Sequence, residues 1–348
     1  MSKIVLTGGG TAGHVTPCLA LLPYLKKEFD EIYYLGSYDG IEKRLAQKEG
    51  IKYFGVSTVK LKRNFSLSNL SIPLKLIKGI KESSKILNEI KPDIIFSKGG
   101  FVSVPVVIAG ARKKIPVISH ESDFTVGLAN KITSKYCKKV LTSFPETAKT
   151  LSNGNFVGAP LRDEIFKKQE DAYSYFNLSG KKPVLLILGG SQGSKSINDV
   201  IFRVLDELLP TFDVIHVVGK GNVVNVNKQG YAQVEYLEDV SLAYSIASVC
   251  VSRAGSNTVF ELLALKIPTL LIPLPKGTSR GDQVFNAEYF EKLGLVSVLP
   301  QSRLTEKSLT LYINATYSNR FNLKRNLDKY PVENACPKIL ETILNYTL

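Results

Sequence analysis

Lys3-Ile-Val-Leu-Thr-Gly-Gly-Gly-Thr-Ala-Gly-His-Val-Thr-Pro17 sets a short apolar run, Ile4 to Leu6, directly before a cluster of glycines, and Leu19, Leu22 and Leu25 follow at helical spacing. Strand, glycine loop and helix in that order open a doubly wound α/β fold. Moving outward, Ile32–Leu35, Asp93–Ser97, Val117–Ser119 and Lys139–Thr142 read as further short strands separated by helical stretches, so the first half is Rossmann-like.

The pattern restarts at Pro183-Val-Leu-Leu-Ile-Leu188, followed by Gly189-Gly-Ser-Gln-Gly193, a helix beginning near Ser196, and strands near Val214–Val218, Val249–Ser252 and Thr269–Ile272. In each half a second apolar strand ends in a small-residue loop, Phe96-Ser-Lys-Gly-Gly-Phe101 and Val251-Ser-Arg-Ala-Gly-Ser256. The expected fold is α/β, with two Rossmann-like doubly wound domains facing across a cleft, residues 1–161 and 162–331. Asn155–Arg162, with Gly158 and Pro160, reads as the linker. Residues 332–348 carry Ile339, Leu340, Ile343 and Leu344 at helical spacing and are expected to pack back on the first domain.

A length of 348 residues also favours two cores over one, and 44% hydrophobic with 22% charged residues excludes disordered, collagenous and coiled-coil classes. Cys18, Cys137, Cys250 and Cys336 are far apart, and only three histidines could join them, so neither a disulfide framework nor a metal cage is expected and a reducing cytoplasm fits best. The charge-free stretch Ile4–Leu25 is interrupted by glycines, His14 and Pro17, which rules out a plain spanning helix, and Ile4-Val-Leu6 is too short for the apolar region of a signal peptide.

The net charge of +14 is uneven: residues 1–161 hold 24 Lys/Arg against 12 Asp/Glu, whereas residues 162–348 hold 21 against 19. A basic first half points to an anionic partner, nucleic acid or an acidic membrane surface. A lysine-rich proteome would explain the total but not the imbalance. Lys60, Lys62 and Arg63 precede Leu70–Leu87, where Lys75, Lys78, Lys81 and Lys85 alternate with Leu74, Leu76, Ile77 and Ile80. That stretch reads either as a helix covering the sheet or as a membrane-facing surface.

Gly8, Gly10 and Gly13 satisfy G-x-G-x-x-G, but a dinucleotide site also needs an acid closing the second strand, and Tyr34-Leu-Gly-Ser37 offers none. What the loop does provide is close backbone approach and N–H groups at a helix start. His14 falls in the expected first helical turn, where the dipole disfavours imidazolium; the ring suits a general base, although it could also merely cap or pack. In the second half, Arg253-Ala-Gly-Ser-Asn-Thr-Val-Phe-Glu261 runs from a strand end into a helix whose start could hold a phosphate. Glu261 reads as a ribose ligand or as a solvated helix glutamate, and Gln283 and Asn286 as sugar-reading amides or a plain polar helix start. There is no D-x-D pair and no G-x-x-x-x-G-K-S/T loop, so metal-dependent transfer is not indicated.

Six motifs in order, GGGTAGHVTP at the start, SKGGFVSVP, HESD at 120–123, FVGAPLR at 156–162, LGGSQGS at 188–194 and RAGSNTVFE at 253–261, followed by GDQVFNA at 281–287, resemble the MurG-type glycosyltransferases of the two-Rossmann glycosyltransferase-B architecture. The resemblance spans nearly the whole chain. It implies an inverting, metal-independent and cofactor-free transfer of N-acetylglucosamine from its uridine diphosphate donor to the C4 hydroxyl of the muramoyl sugar of undecaprenyl-diphospho-muramoyl-pentapeptide (lipid I), giving lipid II. His14 would act as base. The donor would meet Ser191 at the diphosphate, Leu237 at the uracil, Ser256, Asn257, Thr258 and Val259 at the helix start, Glu261 at the ribose and Gln283 at the sugar. Thr11, Ala12 and Gly13 would reach it from the other domain, with Arg162 at the linker. One departure stands out: the family often reads HEQN where this chain has His120-Glu-Ser-Asp123, so Asp123 replaces an amide on the transferred sugar. The implied partners are UDP-N-acetylglucosamine, lipid I and the anionic inner leaflet, with no nucleic acid, at the cytoplasmic face of the cell membrane. A diacylglycerol glycosyltransferase, a UDP-N-acetylglucosamine epimerase and an inactive binding protein are the rival readings.

Overall fold

Ile4, Val5 and Leu6 are fully buried in β1 (Lys3–Thr7), which pairs in parallel with β2 (Glu31–Ser37) on one side and β4 (Ile94–Ser97) on the other. The computed structural model describes residues 1–59, 72–190, 192–277 and 281–347. With β3 (Lys52–Val56), β5 (Val117–Glu121), β6 (Lys139–Thr142) and β7 (Gly154–Phe156), a seven-stranded sheet runs β3-β2-β1-β4-β5-β6-β7. Chain order reverses between β1 and β4, the place where a doubly wound sheet opens a ligand crevice at its carboxyl edge.

Alternate residues of these strands enter different cores, as parallel strands buried on both faces require. Leu6, Phe96, Ile118 and Leu141 pack with α1 (Thr16–Ala20), α2 (Leu22–Glu28) and α3 (Ile41–Lys48), whereas Val5, Ile95, Val117 and Val140 pack with α4 (Ile72–Ile90) and α5 (Ser103–Arg112). The shorter α6 (Leu128–Thr133) and α7 (Pro145–Lys149) follow β5 and β6. The helix expected as one run after the glycine loop is divided into α1 and α2, each with a proline in its first turn, Pro17 and Pro23. Proline lacks the N–H that would continue a preceding helix, so each opens a new one.

A second sheet lies in the unit Asp163–Glu333, in the order β10-β9-β8-β11-β12-β13: β8 (Val184–Leu188), β9 (Asp213–Val217), β10 (Tyr231–Val234), β11 (Ala247–Ser252), β12 (Thr269–Leu271) and β13 (Ser297–Val298). Its helices are α8 (Ala172–Tyr175), α9 (Lys195–Leu208), α10 (Ser241–Ile246), α11 (Ser256–Ala264), α12 (Asp282–Lys292), α13 (Glu306–Ser318) and α14 (Arg320–Lys329). Ile197, Ile201, Val204, Leu205 and Leu208 of α9, spaced three and four apart, bury one stripe against this sheet. The chain then returns to the first unit, Met1–Arg162 with Asn334–Leu348. There α15 (Cys336–Leu344) buries Ile339 and Ile343, and Asn334 Oδ1 accepts the Leu161 and Cys336 N–H groups, each at 3.0 Å.

Four strands absent from the sequence reading, β3, β7, β10 and β13, are the four sheet edges. Tyr231–Val234 is only partly buried along its length and carries no continuous apolar run, which is why its pattern is weak. β7 also takes the first residues of the expected linker.

Candidate active site

At the reversal of the first sheet, the loop after β1 and the loop after β4 meet. A β-carbon on Gly8 would lie 2.8 Å from the His14 carbonyl oxygen and 3.0 Å from Lys98 Cβ, and one on Gly100, at φ +78°, would strike the Gly9 carbonyl. Only glycine permits that approach. Ala12–His14 form a single 3-10 turn ahead of α1, so His14 does not stand in the first turn of an α-helix as expected, and the five-residue α1 offers little dipole. The ring is fixed by a neighbour instead: Thr11 Oγ1 lies 2.9 Å from His14 Nδ1, while the His14 N–H donates to the Thr11 carbonyl at 3.1 Å.

An acid does reach this glycine loop, from α3 rather than from the end of β2. Glu42, fully buried, accepts the Gly10 N–H at 3.2 Å and the Ser37 N–H at 3.0 Å. A carboxylate thus occupies a donor that a dinucleotide phosphate would require, which speaks against a dinucleotide at this loop.

Beyond β5, the HESD segment is held by its own buried carboxylate. Glu121 accepts from Asp123 N at 3.1 Å, Gly127 N at 2.8 Å and Asn130 Nδ2 at 2.9 Å, and Asp123 follows in a half-buried position. Lys98, also buried, donates from Nζ to Ser122 Oγ at 2.6 Å. Burial lowers the Lys98 pKa, against which Glu121, Cys18 and Asp123 favour the charged form. His120 Nε2 donates to the Gly158 carbonyl at 3.0 Å, and burial, then the Lys98 charge, hold its pKa well below the ordinary range. The four cysteines are buried thiols in no disulfide, and desolvation pushes the Cys18 thiol up to about 12.

In the second unit, α11 opens beyond the carboxyl edge of β11 with Gly255 as its cap residue, which has no side chain to cap the first turn. Ser256, Asn257 and Thr258 form that turn; Val259 is already committed, its N–H donating to Gly255 O at 3.1 Å and its side chain buried. Glu261 is not a solvated helix residue: it is 8% exposed and Tyr244 OH donates to its Oε2 at 3.0 Å. Gln283 Oε1 accepts Ala254 N at 3.3 Å and Leu274 N at 3.0 Å, which leaves its amide N–H groups as the part that could read a sugar. Asn286 is fully buried and donates to Ala254 O at 3.1 Å, so it shapes the loop rather than reading a ligand. Leu237 is buried in the chain between β10 and α10. Ser191, like Lys60, Lys62, Arg63 and Leu70, lies outside the described residues.

Within the first unit, then, the fold gathers Thr11, Ala12, Gly13 and His14 at one loop; Asp123 lies on the β5 loop, and Arg162 ends the unit. Within the second it gathers Ser256 to Glu261 with Gln283. Sequence reasoning missed Glu42, Lys98 and Glu121, single charged residues whose burial no local pattern announces. It also gave Arg253 no role of its own. That guanidinium donates to Ile272 O at 3.0 Å, Ser194 Oγ at 2.7 Å and Ser196 Oγ at 2.9 Å, bracing the three loops after β8, β11 and β12, and burial brings its pKa down to about 10. Among the described residues, no group of three or more His, Cys, Asp or Glu side chains could hold a metal ion.

Comparison with known proteins bears on the whole chain. Residues 4–142 match the glycosyltransferase family 28 N-terminal domain and residues 184–342 the family's C-terminal domain. A protein of Clostridium botulinum (strain Langeland), named UDP-N-acetylglucosamine–N-acetylmuramyl-(pentapeptide) pyrophosphoryl-undecaprenol N-acetylglucosamine transferase, is 48% identical over 353 aligned positions covering 100% of both chains. A protein of the same name from Clostridium tetani is 47% identical, over 99% of this chain and 98% of its own. Among solved structures, Acinetobacter baumannii MurG superposes with a TM-score of 0.77 at 23% identity, covering 99% of this chain and 100% of its own, a likeness of fold.

Proposed function

This chain belongs to glycosyltransferase family 28, and from that membership we propose that it transfers N-acetylglucosamine from UDP-N-acetylglucosamine to the muramoyl sugar of lipid I, giving lipid II for peptidoglycan synthesis. The observation that carries this reading is 48% identity along the full length of a relative named for that transfer. Transfer to diacylglycerol and epimerisation of the donor are not favoured.

The reaction is a single displacement with inversion. The acceptor C4 oxygen bonds to the anomeric carbon of the donor as the bond from that carbon to the diphosphate breaks, and the hydroxyl proton passes to His14. The Thr11 hydroxyl, 2.9 Å from Nδ1, can accept a hydrogen bond from that nitrogen, and in this tautomer Nε2 is the basic nitrogen. UDP leaves with its charge spread over the first turn of α11, at Ser256, Asn257 and Thr258, and this stands in place of a cation. Glu261 holds the ribose hydroxyls, its carboxylate oriented by Tyr244; Leu237 lies at the uracil, Ser191 at the diphosphate, and Gln283 offers its amide N–H to the sugar. Val259 contributes to this site only by ending that first turn, its N–H donating to Gly255 O. Thr11, Ala12, Gly13, Asp123 and Arg162 complete the contacts.

The anionic partner of the basic half is the inner leaflet that carries the acceptor, rather than nucleic acid, and the protein works as a peripheral enzyme at the cytoplasmic face. No helix of the described residues is long and apolar enough to cross a membrane. Support comes from α4: its later turns bury Ile80, Leu87 and Ile90, while its opening turns leave Leu74 72% and Ile77 51% exposed among Lys75, Lys78 and Lys81. Apolar side chains ringed by lysines suit an anionic bilayer surface. Incubation with labelled UDP-N-acetylglucosamine and either a short-chain lipid I analogue or diacylglycerol tests the reading: label is expected in the lipid I product alone, and label in diacylglycerol, or donor turnover without acceptor, overturns it.

A further inference from the structure

Lys98, directly after β4, is 2% exposed, a burial that an ammonium tolerates only beside carboxylates and hydrogen-bond acceptors. Its partners come largely from one short segment. Nζ donates at 2.6 Å to the Oγ of Ser122, the neighbour of Asp123, and Glu121 first, then Cys18 and Asp123, favour the charged lysine against its burial. Glu121 grips the same segment through its backbone, accepting from Asp123 N at 3.1 Å and Gly127 N at 2.8 Å. Cation and carboxylate therefore clamp Ser122 and Asp123 from two directions. The clamp is anchored in the sheet, since Lys98 N–H donates to Thr7 O at 2.8 Å, and its Cβ stands directly against Gly8.

We propose that Lys98 is a positioning residue for recognition of the donor sugar: it fixes the Ser122–Asp123 segment and offsets the Asp123 carboxylate, so that an acid can serve as hydrogen-bond acceptor where the related pattern has an amide. The proposal rests on the reading of the protein as an N-acetylglucosaminyltransferase with Asp123 on the transferred sugar. A cation matched to Asp123 has a consequence that a merely structural lysine lacks. Its removal harms donor binding when residue 123 is an acid and matters much less when residue 123 is a neutral amide.

The test is a double-mutant cycle in KM for UDP-N-acetylglucosamine and in kcat, using wild type, Lys98→Met, Asp123→Asn and the double variant with a lipid I analogue. Lys98→Met alone is expected to raise KM about 10-fold or more with kcat within about 3-fold, whereas in the Asp123→Asn background the same change raises KM by no more than about 3-fold. Thermal unfolding of all four separates stability from binding, because Glu121 is left buried beside the lost cation in both backgrounds. An unchanged KM, or the same KM penalty in both backgrounds, overturns the proposal. If Lys98→Met does not fold, Ser122→Ala, which removes the acceptor of the ammonium, is measured in both backgrounds: a rise in KM confined to the Asp123 background supports the clamp, and an equal rise or none overturns it. A wild type that makes no lipid II would overturn the functional reading instead, and that result is read from the wild-type enzyme alone.

Discussion

Thr11 Oγ1 and His14 Nδ1 lie 2.9 Å apart, across the 3-10 turn that the Gly8–Gly13 loop forms before α1. A hydroxyl can accept from the protonated nitrogen and so fix the tautomer that presents Nε2 as a base. His14→Ala is expected to lower kcat about 100-fold or more with little change in KM for the donor, and Thr11→Val, which keeps the ring but removes the hydroxyl beside Nδ1, several-fold. Steady-state kinetics at saturating lipid I analogue check both. Unchanged turnover in His14→Ala would remove the histidine from the chemistry.

Glu261 is buried and receives a hydrogen bond from Tyr244, which orients its carboxylate. Glu261→Ala should weaken binding of UDP by about 1.5–3 kcal/mol, and Tyr244→Phe by about 0.5–1.5 kcal/mol through lost orientation. Calorimetric titration with UDP measures each. Equal affinity in wild type and Glu261→Ala would free that residue from the nucleotide.

His216 sits between Asn198 Oδ1, 3.0 Å from Nε2, and Tyr231 OH, 3.1 Å from Nδ1, and burial holds its pKa at about 3 against an ordinary 6.5. The unfolded chain therefore takes up the proton first as pH falls. The stability this histidine contributes is complete above 6.5 and is lost progressively as pH falls from there towards about 3. Urea midpoints taken near pH 7 and near pH 5 should fall further for wild type than for His216→Asn. An equal fall in the two proteins would show that the ring does not titrate on unfolding.

Much of this architecture was legible because its deciding residues are glycines at strand ends. Gly8 to Gly13 and Gly189 to Gly193 follow buried β1 and β8, and a continuous apolar run before a glycine cluster has few other readings. Edge strands such as β10 lacked that run because one side faces solvent. The break between α1 and α2 was written in Pro17 and Pro23, yet the leucine spacing carries straight across it. Glu42 and Lys98 stayed hidden for a different reason: burial of a charge depends on partners far away in sequence, here Gly10 and Ser122, while Glu121 turns inward to N–H groups of the segment that follows it, Asp123, Gly127 and Asn130, which no apolar pattern marks. Asn286 was misjudged on the same ground, since a buried amide and an exposed one look alike in a string of letters.

On α4, Lys75, Lys78 and Lys81 lie among the exposed Leu74 and Ile77, and only Lys78 of the three has an ion-pair partner among those described, Glu82 at 3.8 Å. Each lysine near an anionic leaflet is worth about 1 kcal/mol, so changing all three to Glu should release the protein from vesicles containing anionic lipid. Activity on membrane-embedded lipid I should fall while activity on a soluble acceptor analogue persists. Flotation at low salt is the check, and undiminished vesicle binding would place the membrane contact elsewhere.

The account as a whole turns on what is made and with which stereochemistry. Proton and carbon NMR of the product isolated from UDP-N-acetylglucosamine and a short-chain lipid I analogue reads both at once. The expected product carries one N-acetylglucosamine in β linkage at C4 of the muramoyl sugar, the inverse of the α linkage in the donor. An α linkage, attachment at another hydroxyl, or a changed sugar left on UDP with no disaccharide formed would contradict it.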